Sequence, residues 1–188
     1  MCRRCGVELE FAQKSCGCRD RLRALSRLRS AVAYEGPIEL AVQRYKYGGW
    51  RRLAAPLALL LAERLVVEGL AAHEVVAVPL HADRLRQRGF NQADLLVREL
   101  RRRLALAEPP GNLLRTRATP SQVGHDRLWR LENVRGAFAW RGADLGGRPL
   151  LLVDDVATTG ATLEACAVAL RLAGSGPVIG ASVARVAV

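Results

Sequence analysis

Residues 150–162, LLLVDDVATTGAT, constrain the fold of this 188-residue chain more than any other stretch. The stretch opens with four apolar residues, which predict a strand buried on both faces of a parallel sheet. Adjacent carboxylates, Asp154 and Asp155, follow at the expected C-terminal end of the strand, where ligands bind in open α/β sheets. A pattern typical of a helix comes next, over residues 163–172. We therefore expect an α/β domain with a ligand site at the end of this strand.

The segment after the acidic pair consists mainly of small and hydroxyl-bearing residues: Ala157, Thr158, Thr159, Gly160, Ala161 and Thr162. Small side chains let an anion approach the backbone N–H groups, hydroxyls add donors, and the N-terminus of the next helix contributes partial positive charge. The stretch is thus suited to a sugar phosphate, with the phosphate at the loop and the vicinal hydroxyls at the carboxylates. The alternative is a strand that ends in a solvated Asp pair, with a Thr that caps the helix. A helix cap needs only one such residue, whereas this stretch has two adjacent aspartates followed by Thr-Thr-Gly-Ala-Thr. The pattern therefore favours a binding loop.

The composition indicates one globular domain with a small appendage. Half of the residues are hydrophobic, and a chain of this length buries about 70% of its unfolded surface. The first 30 residues are charged and contain cysteines, unlike a secretory signal, and the most apolar span, residues 53–61, is about half as long as a bilayer-spanning helix. We expect a soluble cytoplasmic protein without membrane insertion. Because the chain starts directly at its first cysteines, we also expect a further segment upstream.

The formal net charge is +11, and nearly all of the basic residues are arginine. This excess suits phosphate or nucleic-acid partners, since a guanidinium binds phosphate oxygens in pairs. Codon bias is the alternative, because Ala, Leu, Gly and Val are also abundant. If the arginines near the N-terminus, at 84–88 and at 98–103 share one surface, single-stranded DNA is a candidate partner, with Trp50, Trp129 or Phe90 as stacking platforms.

Four cysteines, Cys2, Cys5, Cys16 and Cys18, lie within the first 18 residues in the pattern C-x2-C-x10-C-x-C. In a cytoplasmic protein, four thiols so close together favour a tetrahedral structural zinc site over disulfides, although disulfide or redox use stays an alternative. The single spacer between Cys16 and Cys18 requires a tight bend. The fifth cysteine, Cys166, falls in the helix after the predicted phosphate loop and is expected to pack there.

The remaining patterns divide the chain into a zinc knuckle at residues 1–18, a basic linker helix at 19–29 and the main domain at 30–188. We expect the knuckle and the main domain to have separate cores. Predicted strands cover residues 31–34, 75–78, 137–140 and 178–188, and the strands near Val75, Leu150 and Val178 should be central in the sheet. Predicted helices cover residues 38–45, 51–67 and 92–104, the last of them capped by Asn91.

A basic loop is predicted between the strand at residues 75–78 and the helix at 92–104. Arg84, Arg86 and Arg88 alternate in it, and Gly89 turns the chain. The predicted order of elements is the same as at residues 150–162: a strand, a polar loop and the N-terminus of a helix. The alternative is an exposed basic turn without a ligand.

Residues 150–162 resemble the signature of the type I phosphoribosyltransferases, which use 5-phosphoribosyl-1-pyrophosphate (PRPP). The N-terminal cysteines, RYKYGG, RQRGFNQA and the segment from TPSQ to RLENVRGAF, in that order, narrow the resemblance to the ComF family of bacterial competence proteins. The resemblance covers essentially the whole chain. It implies a three-layer α/β fold with a mainly parallel sheet, PRPP bound with Mg2+, and an association with the uptake and processing of transforming DNA.

The same resemblance assigns roles to residues. Asp154 and Asp155 would be the catalytic pair that contacts the ribose hydroxyls, and residues 157–162 would hold the 5-phosphate. The pyrophosphate loop would comprise His81, Arg84, Arg86, Arg88, Asn91 and Gln92. A polar lid that closes over PRPP would include Gln122, Arg130 and Asn133. Lys46 and Gly89 also match family motif positions, whereas a lone loop histidine such as His125 is more often incidental.

Three functions fit these features. The first is an enzyme that transfers phosphoribose from PRPP to an acceptor, with Mg2+ and arginines on the pyrophosphate and the carboxylates near the developing positive charge. The second is a non-catalytic module of the same fold that binds single-stranded DNA. The third is an adaptor for competence translocation proteins, although an intact acidic pair and loop speak against a vestigial pocket. A Rossmann dinucleotide enzyme is excluded, because no G-x-G-x-x-G follows any predicted strand.

Overall fold

The computed structural model describes residues 1–7, 16–69, 74–117 and 136–186. Its strands are β1 (Leu25–Ala33), β2 (Glu74–Ala77), β3 (Gly111–Arg115), β4 (Phe138–Gly142), β5 (Leu150–Ala157) and β6 (Val178–Arg185). Its helices are α1 (Gly36–Tyr47), α2 (Ala54–Val67), α3 (Ala82–Arg88), α4 (Gln92–Leu104) and α5 (Ala161–Leu172), and a 3-10 turn, Arg51–Leu53, precedes α2. No helix among these is long and apolar enough to cross a bilayer.

The centre of the fold is a four-stranded sheet in the order β1–β6–β5–β2, in which every pairing is parallel. Successive residues of β5 enter different cores: Leu150 and Leu152 face one, and Leu151 and Val153 face the other. Both faces of β5 are therefore buried, which explains its continuous apolar run. The α/β architecture and the buried parallel strand are confirmed.

The two faces of the sheet are covered by different elements. Side chains of α2 and α4, together with Tyr45 of α1, pack on one face. Helix α5 and the antiparallel pair β3–β4 pack on the other, together with residues of the N-terminal segment. The expectation that the strand near Val75 is central is wrong, because β2 lies at an edge of the four-stranded sheet.

The connection between β2 and α4 differs from the predicted basic loop, because residues 82–88 form the short helix α3. Alanine, arginine, leucine and glutamine are good helix formers, and the His81 ring accepts a hydrogen bond from the Asp83 N–H at its start. Gly89, at φ +77°, ends α3 in the left-handed conformation that glycine adopts without strain. Helix α4 then begins and ends as predicted, and the Asn91 side chain accepts from the Ala93 N–H at 3.1 Å.

The predicted linker helix at residues 19–29 is wrong, since residues 25–29 form the first half of β1. Leu22, Leu25 and Leu28, which are spaced by three residues, suggested a helix. In the structure the register of β1 against β6 shifts between Leu25 and Arg27, so the strand is irregular there. This irregularity brings Leu25 and Leu28 into the same core, although an odd spacing in a regular strand would place them on opposite faces.

The expectation of separate cores is also wrong. Cys5 and Cys18 are buried in the same cluster as Leu22, Leu28 and Leu163. Backbone bonds join the segments as well, because the Leu28 N–H donates to the Arg4 carbonyl at 2.8 Å. So short a segment has too little apolar surface for a core of its own, and it completes the core of the main domain instead.

Candidate functional site

A cleft of about 420 Å³ lies where β5 and the residues after β2 meet the N-terminus of α5. Its floor contains the acidic pair Asp154 and Asp155, and one wall is the segment that leads into α5. Further lining side chains that are charged or polar come from four other elements: Lys46 and Tyr47 of α1, Arg84 and Arg88 of α3, Gln92 of α4 and Arg115 of β3. The cleft therefore combines two carboxylates with four cationic side chains.

The acidic pair lies inside the last half of β5, which continues to Ala157. Asp155 is 2% exposed, and its Oδ2 lies 3.0 Å from Nζ of Lys46. The Asp155 N–H donates to Asp154 Oδ1 and the Val156 N–H to Asp155 Oδ1, each at 2.8 Å. These contacts fix the orientation of both carboxylates at the base of the cleft.

The cleft changes the protonation of its charged groups. Burial, and then the charge of Asp155, raises the pKa of Asp154 to about 7, although Lys46 opposes the shift. Burial lowers the pKa of Lys46, but the charges of Asp155 and Asp154 outweigh it, and the pKa ends above its ordinary value. Lys46 is therefore a stable cation, whereas Asp154 is a carboxyl group that exchanges its proton near neutral pH.

The predicted phosphate loop forms a tight connection between β5 and α5. Gly160 has φ +84°, which strains any other residue, and a Cβ there would lie tightly against Leu28 Cδ2 at 3.0 Å and Leu22 Cδ2 at 3.2 Å, so glycine is favoured on both grounds. Thr159 is buried, and its hydroxyl accepts from the Ala161 N–H at 3.3 Å. The other predicted loop residues line the cleft: Ala157, Thr158, Gly160, Ala161 and Thr162. The N-terminus of α5 thus opens into the cleft, where its partial positive charge favours an anion.

The residues predicted as a pyrophosphate loop divide into two groups. Arg84, Arg88 and Gln92 line the cleft, and the Arg88 guanidinium donates to the Gln92 side chain. The others are not among the lining residues and have local partners: His81 caps α3, Arg86 pairs with Asp83, and Asn91 caps α4 and donates to the Val78 carbonyl at 3.1 Å. The proposed lid residues Gln122, Arg130 and Asn133 lie outside the described residues, as do His125 and Trp129.

Two lining residues with polar groups, Arg115 and Tyr47, were not predicted as site residues from the sequence. Arg115 reaches the cleft from β3, and burial lowers its pKa. Tyr47 lies at the cleft mouth, 77% exposed, with the Arg88 guanidinium 5.2 Å from its ring centroid. The RYKYGG motif contained Tyr47, but no local pattern indicated that β3 would bring Arg115 to this edge of the sheet.

The four N-terminal cysteines form a second cluster, and their sulfur atoms all lie within 4.8 Å of one another. Cys2 and Cys18 are 3.7 Å apart at Sγ, and Cys5 and Cys16 are 3.4 Å apart. Tetrahedral coordination with Zn–S bonds of about 2.3 Å spaces sulfurs by about 3.8 Å, whereas a disulfide requires about 2.05 Å. Gly17, at φ +61°, provides the bend that the single spacer requires. The cluster can hold a metal such as zinc.

Without a metal, burial and hydrogen bonds shift the pKa values of these thiols in different directions. Burial opposes the ionisation of Cys2, but hydrogen bonds from the backbone N–H groups of Cys5 and Arg4 lower its pKa to about 6. Burial raises the pKa of Cys5 and of Cys18 above the ordinary thiol value. A bound metal would supply the charge that keeps all four sulfurs deprotonated.

The raised pKa of Asp154 predicts a pH-dependent stability. The folded pKa of about 7 exceeds the ordinary value of 3.8, so the stabilisation is complete below pH 3.8 and is lost as the pH rises through 7. Asp154→Asn removes this titration. Relative to that of wild type, the free energy of unfolding of the variant should therefore increase as the pH rises from 5 to 8, by on the order of 1–4 kcal/mol.

Urea unfolding at four pH values between 5 and 8 measures this difference. Asp144→Asn is the matched control, because Asp144 is an exposed carboxyl in the turn after β4. It should leave the pH profile of wild type unchanged. Parallel profiles for wild type and Asp154→Asn would contradict the assignment.

A scan against protein-family models finds no match. The chain is 33% identical over 169 residues to the DNA utilization protein YhgH of Salmonella typhimurium, which covers 87% of this chain and 74% of that protein. It is 32% identical over 181 residues to Competence protein F of Haemophilus influenzae, with coverage of 92% and 79%. It is also 30% identical over 147 residues to Competence protein ComFC of Streptococcus pneumoniae, with coverage of 78% and 63%. These similarities extend over most of the chain, and the protein belongs to the ComF family.

Proposed function

We propose that the cleft binds PRPP together with Mg2+. The observation that supports this proposal is the meeting of three kinds of group in one cleft: an acidic pair, the N-terminus of α5 and cationic side chains from α1 and α3. PRPP carries vicinal hydroxyls between a phosphate and a pyrophosphate. Each of its parts therefore has a complementary group in the lining.

The phosphate would bind at the loop before α5. Thr158 and Thr162 offer hydroxyl donors, and the backbone N–H groups at the N-terminus of α5 would add further donors. The ribose hydroxyls would donate to Asp154 and Asp155, as hydroxyls do to carboxylates. The pyrophosphate would lie toward Arg84, Arg88 and Lys46, because these cations line the same cleft.

The lining also fits Mg2+. Carboxylate and phosphate oxygens are its preferred ligands, and both would be present once PRPP is bound beside Asp154 and Asp155. The ion would supply positive charge to the pyrophosphate. Lys46 already neutralises the buried charge of Asp155, which keeps the floor of the cleft stable without a ligand.

Phosphoribosyl transfer is the reaction that this arrangement favours. The bond between the anomeric carbon and the pyrophosphate oxygen breaks, and a nucleophile of the acceptor forms a new bond to that carbon. Positive charge develops on the sugar, where Asp154 and Asp155 stabilise it. The electron pair leaves with the pyrophosphate, whose negative charge the arginines of α3 stabilise.

The relatives suggest the biological setting. Two kinds of name occur among them, competence protein and DNA utilization protein. We place the proposed PRPP chemistry of this chain in the uptake and use of incoming DNA on that basis.

Calorimetric titration of PRPP in the presence of Mg2+ tests the ligand. Wild type should bind, and Asp155→Asn should bind about 10- to 100-fold more weakly, because the amide keeps a hydrogen-bond acceptor but loses the charge. Asp144→Asn, remote from the cleft lining, should bind as wild type does. Equal affinity in wild type and Asp155→Asn, or no heat with either, would refute the site.

We also propose that the metal of the cysteine cluster is zinc, because four thiolates at tetrahedral spacing select it. Metal analysis of protein purified without chelator should give about one zinc per chain. Cys16→Ser should lose most of it. Cys166→Ser is the control, since Cys166 is buried in α5 outside the cluster. A zinc content near zero, or disulfide-linked cysteines in reduced extract, would contradict the assignment.

Single-stranded DNA binding is the second candidate function, and a surface beside the cleft favours it. The guanidinium groups of Arg44 and Arg52 lie 5.0 and 4.9 Å from the Trp50 ring centroid, and Trp50 is 40% exposed. Tyr47, three residues before Trp50, is also exposed, and the Arg88 guanidinium lies over its ring. Aromatic faces next to arginines are typical of surfaces on which bases stack while phosphates pair with cations. Phe90, another predicted platform, is buried in the core.

Fluorescence titration with labelled single strands at several salt concentrations tests this function. Affinity should fall with salt by a slope of about 0.7 for each phosphate contact. Tyr47→Ala should weaken binding about tenfold, because one stacked base contributes roughly 1–3 kcal/mol. Leu172→Ala, exposed at the far end of α5, is the control. Absence of binding at low salt would exclude this function.

A further inference from the structure

The segment that follows the cysteine cluster supports the phosphate loop directly. Leu22 and Leu28 are fully buried, and their methyl groups lie against Gly160 so closely that a Cβ on this glycine would be 3.0–3.2 Å from them. Leu22 is in turn bonded to the cluster, because its N–H donates to the Cys18 carbonyl at 2.8 Å. The conformation of residues 18–22 and the position of the loop are therefore linked by close packing.

A single carboxylate joins the same segment to helix α5. Glu164, in the first turn of α5, is 8% exposed. Its Oε1 accepts from the backbone N–H groups of Arg23 and Ala24, each at 2.7 Å, and its Oε2 accepts from the Leu25 N–H at 3.0 Å. These three donors lie in the bend that leads from the cysteine segment into β1. An ionised carboxylate is the side chain that can accept from all three, since it has two oxygens and no donor.

A second connection reaches the other end of the loop. The Arg185 guanidinium, at the end of β6, donates to the Cys5 carbonyl at 2.5 Å. The next residue, Val186, donates its N–H to the carbonyl of Ala157 at 3.0 Å. Ala157 is the last residue of β5 and begins the predicted phosphate loop. One end of the loop is therefore linked to Cys5 through Arg185 and Val186. The other end is linked through Glu164 to residues 23–25, which follow the cluster.

We propose that Glu164 is a positioning residue that couples the cysteine cluster to the phosphate loop, so that the metal content of the cluster sets the affinity of the cleft for a phosphate-bearing ligand. This inference rests on the proposed metal and on the proposed phosphate ligand. It assigns a regulatory role to the N-terminal cysteines, and it assigns no chemical step to Glu164.

The physical basis is the way in which metal binding orders the segment. A metal bound to four sulfurs fixes the positions of Cys5 and Cys18, which the described chain otherwise holds by packing and hydrogen bonds. Without it, residues 18–25 lose their common anchor, and Leu22 no longer holds Gly160 in place. By thermodynamic reciprocity, a ligand that orders the phosphate loop must also increase the affinity of the cluster for its metal.

Hydrogen exchange measures the coupling without a phosphate ligand. In the zinc-loaded protein, the hydrogen-bonded amides of residues 157–163, such as that of Ala161, should exchange slowly. Removal of zinc by a chelator under reducing conditions should increase their exchange rates about tenfold, as should Glu164→Gln in the loaded protein. The glutamine amide keeps the shape of the side chain but presents a donor where the carboxylate accepted.

Glu74→Gln is the matched control. Glu74 is another buried carboxylate, paired with Arg148 at 2.6 Å at the start of β2, away from both the cleft lining and the cluster. Its substitution should leave exchange in residues 157–163 unchanged. Zinc removal from wild type needs no substitution, so it tests the coupling even if Glu164→Gln fails to fold.

Two titrations complete the test. PRPP with Mg2+ should bind about tenfold more weakly to Glu164→Gln and to zinc-free wild type, and saturating PRPP should slow the loss of zinc to a chelator by a similar factor. Unchanged exchange in residues 157–163 after zinc removal and in Glu164→Gln would overturn the coupling, as would a cluster that holds no metal. If PRPP fails to bind zinc-loaded wild type while exchange responds as expected, the proposed ligand is wrong and the coupling holds.

Discussion

Burial of β5 on both faces is the constraint on which the rest of the structure depends. A strand between two cores can carry charge only near its end, so its carboxylates, Asp154 and Asp155, lie at the C-terminal edge of the sheet. Two adjacent carboxylates with little solvent repel each other, and the fold compensates with the Lys46 ammonium from α1 and with arginines from α3 and β3. The cleft is the place where these elements meet.

The sequence predicted correctly those elements that depend on a few neighbouring residues. The apolar run of β5, the Asn91 cap of α4 and the turn at Gly89 were all predicted, because each depends on a few neighbouring residues, whereas α3 itself was predicted as a loop. The linker helix failed because a strand irregularity in β1 imitates helical spacing, and only pairing with β6 shows it. The edge position of β2 was likewise unpredictable, since strand order depends on contacts between distant segments.

The residues of the candidate site also fall into two groups, those that sequence motifs indicated and those that they did not. Asp154, Asp155 and the small residues before α5 belong to one contiguous motif, and family motifs indicated Lys46 and Arg88. Arg115 and Glu164 could not be found by reading the sequence. Glu164 stands in an ordinary helical pattern, and its three backbone partners are about 140 residues away along the chain. Such a role arises only from the packing of α5 against the N-terminal segment.

The arginine excess has two physical explanations in the described residues, and they differ in what they predict. Around the cysteine cluster, Arg4, Arg21 and Arg185 donate to backbone carbonyls, so these cations hold the segment together. A zinc ion with four thiolates would carry a net charge of about −2, which nearby guanidinium groups would balance. Around Trp50 and Tyr47 the guanidinium groups lie against exposed rings instead. The net charge of +11 therefore overstates the surface available to a polyanion, because part of the guanidinium charge lies against backbone carbonyls of the cysteine segment.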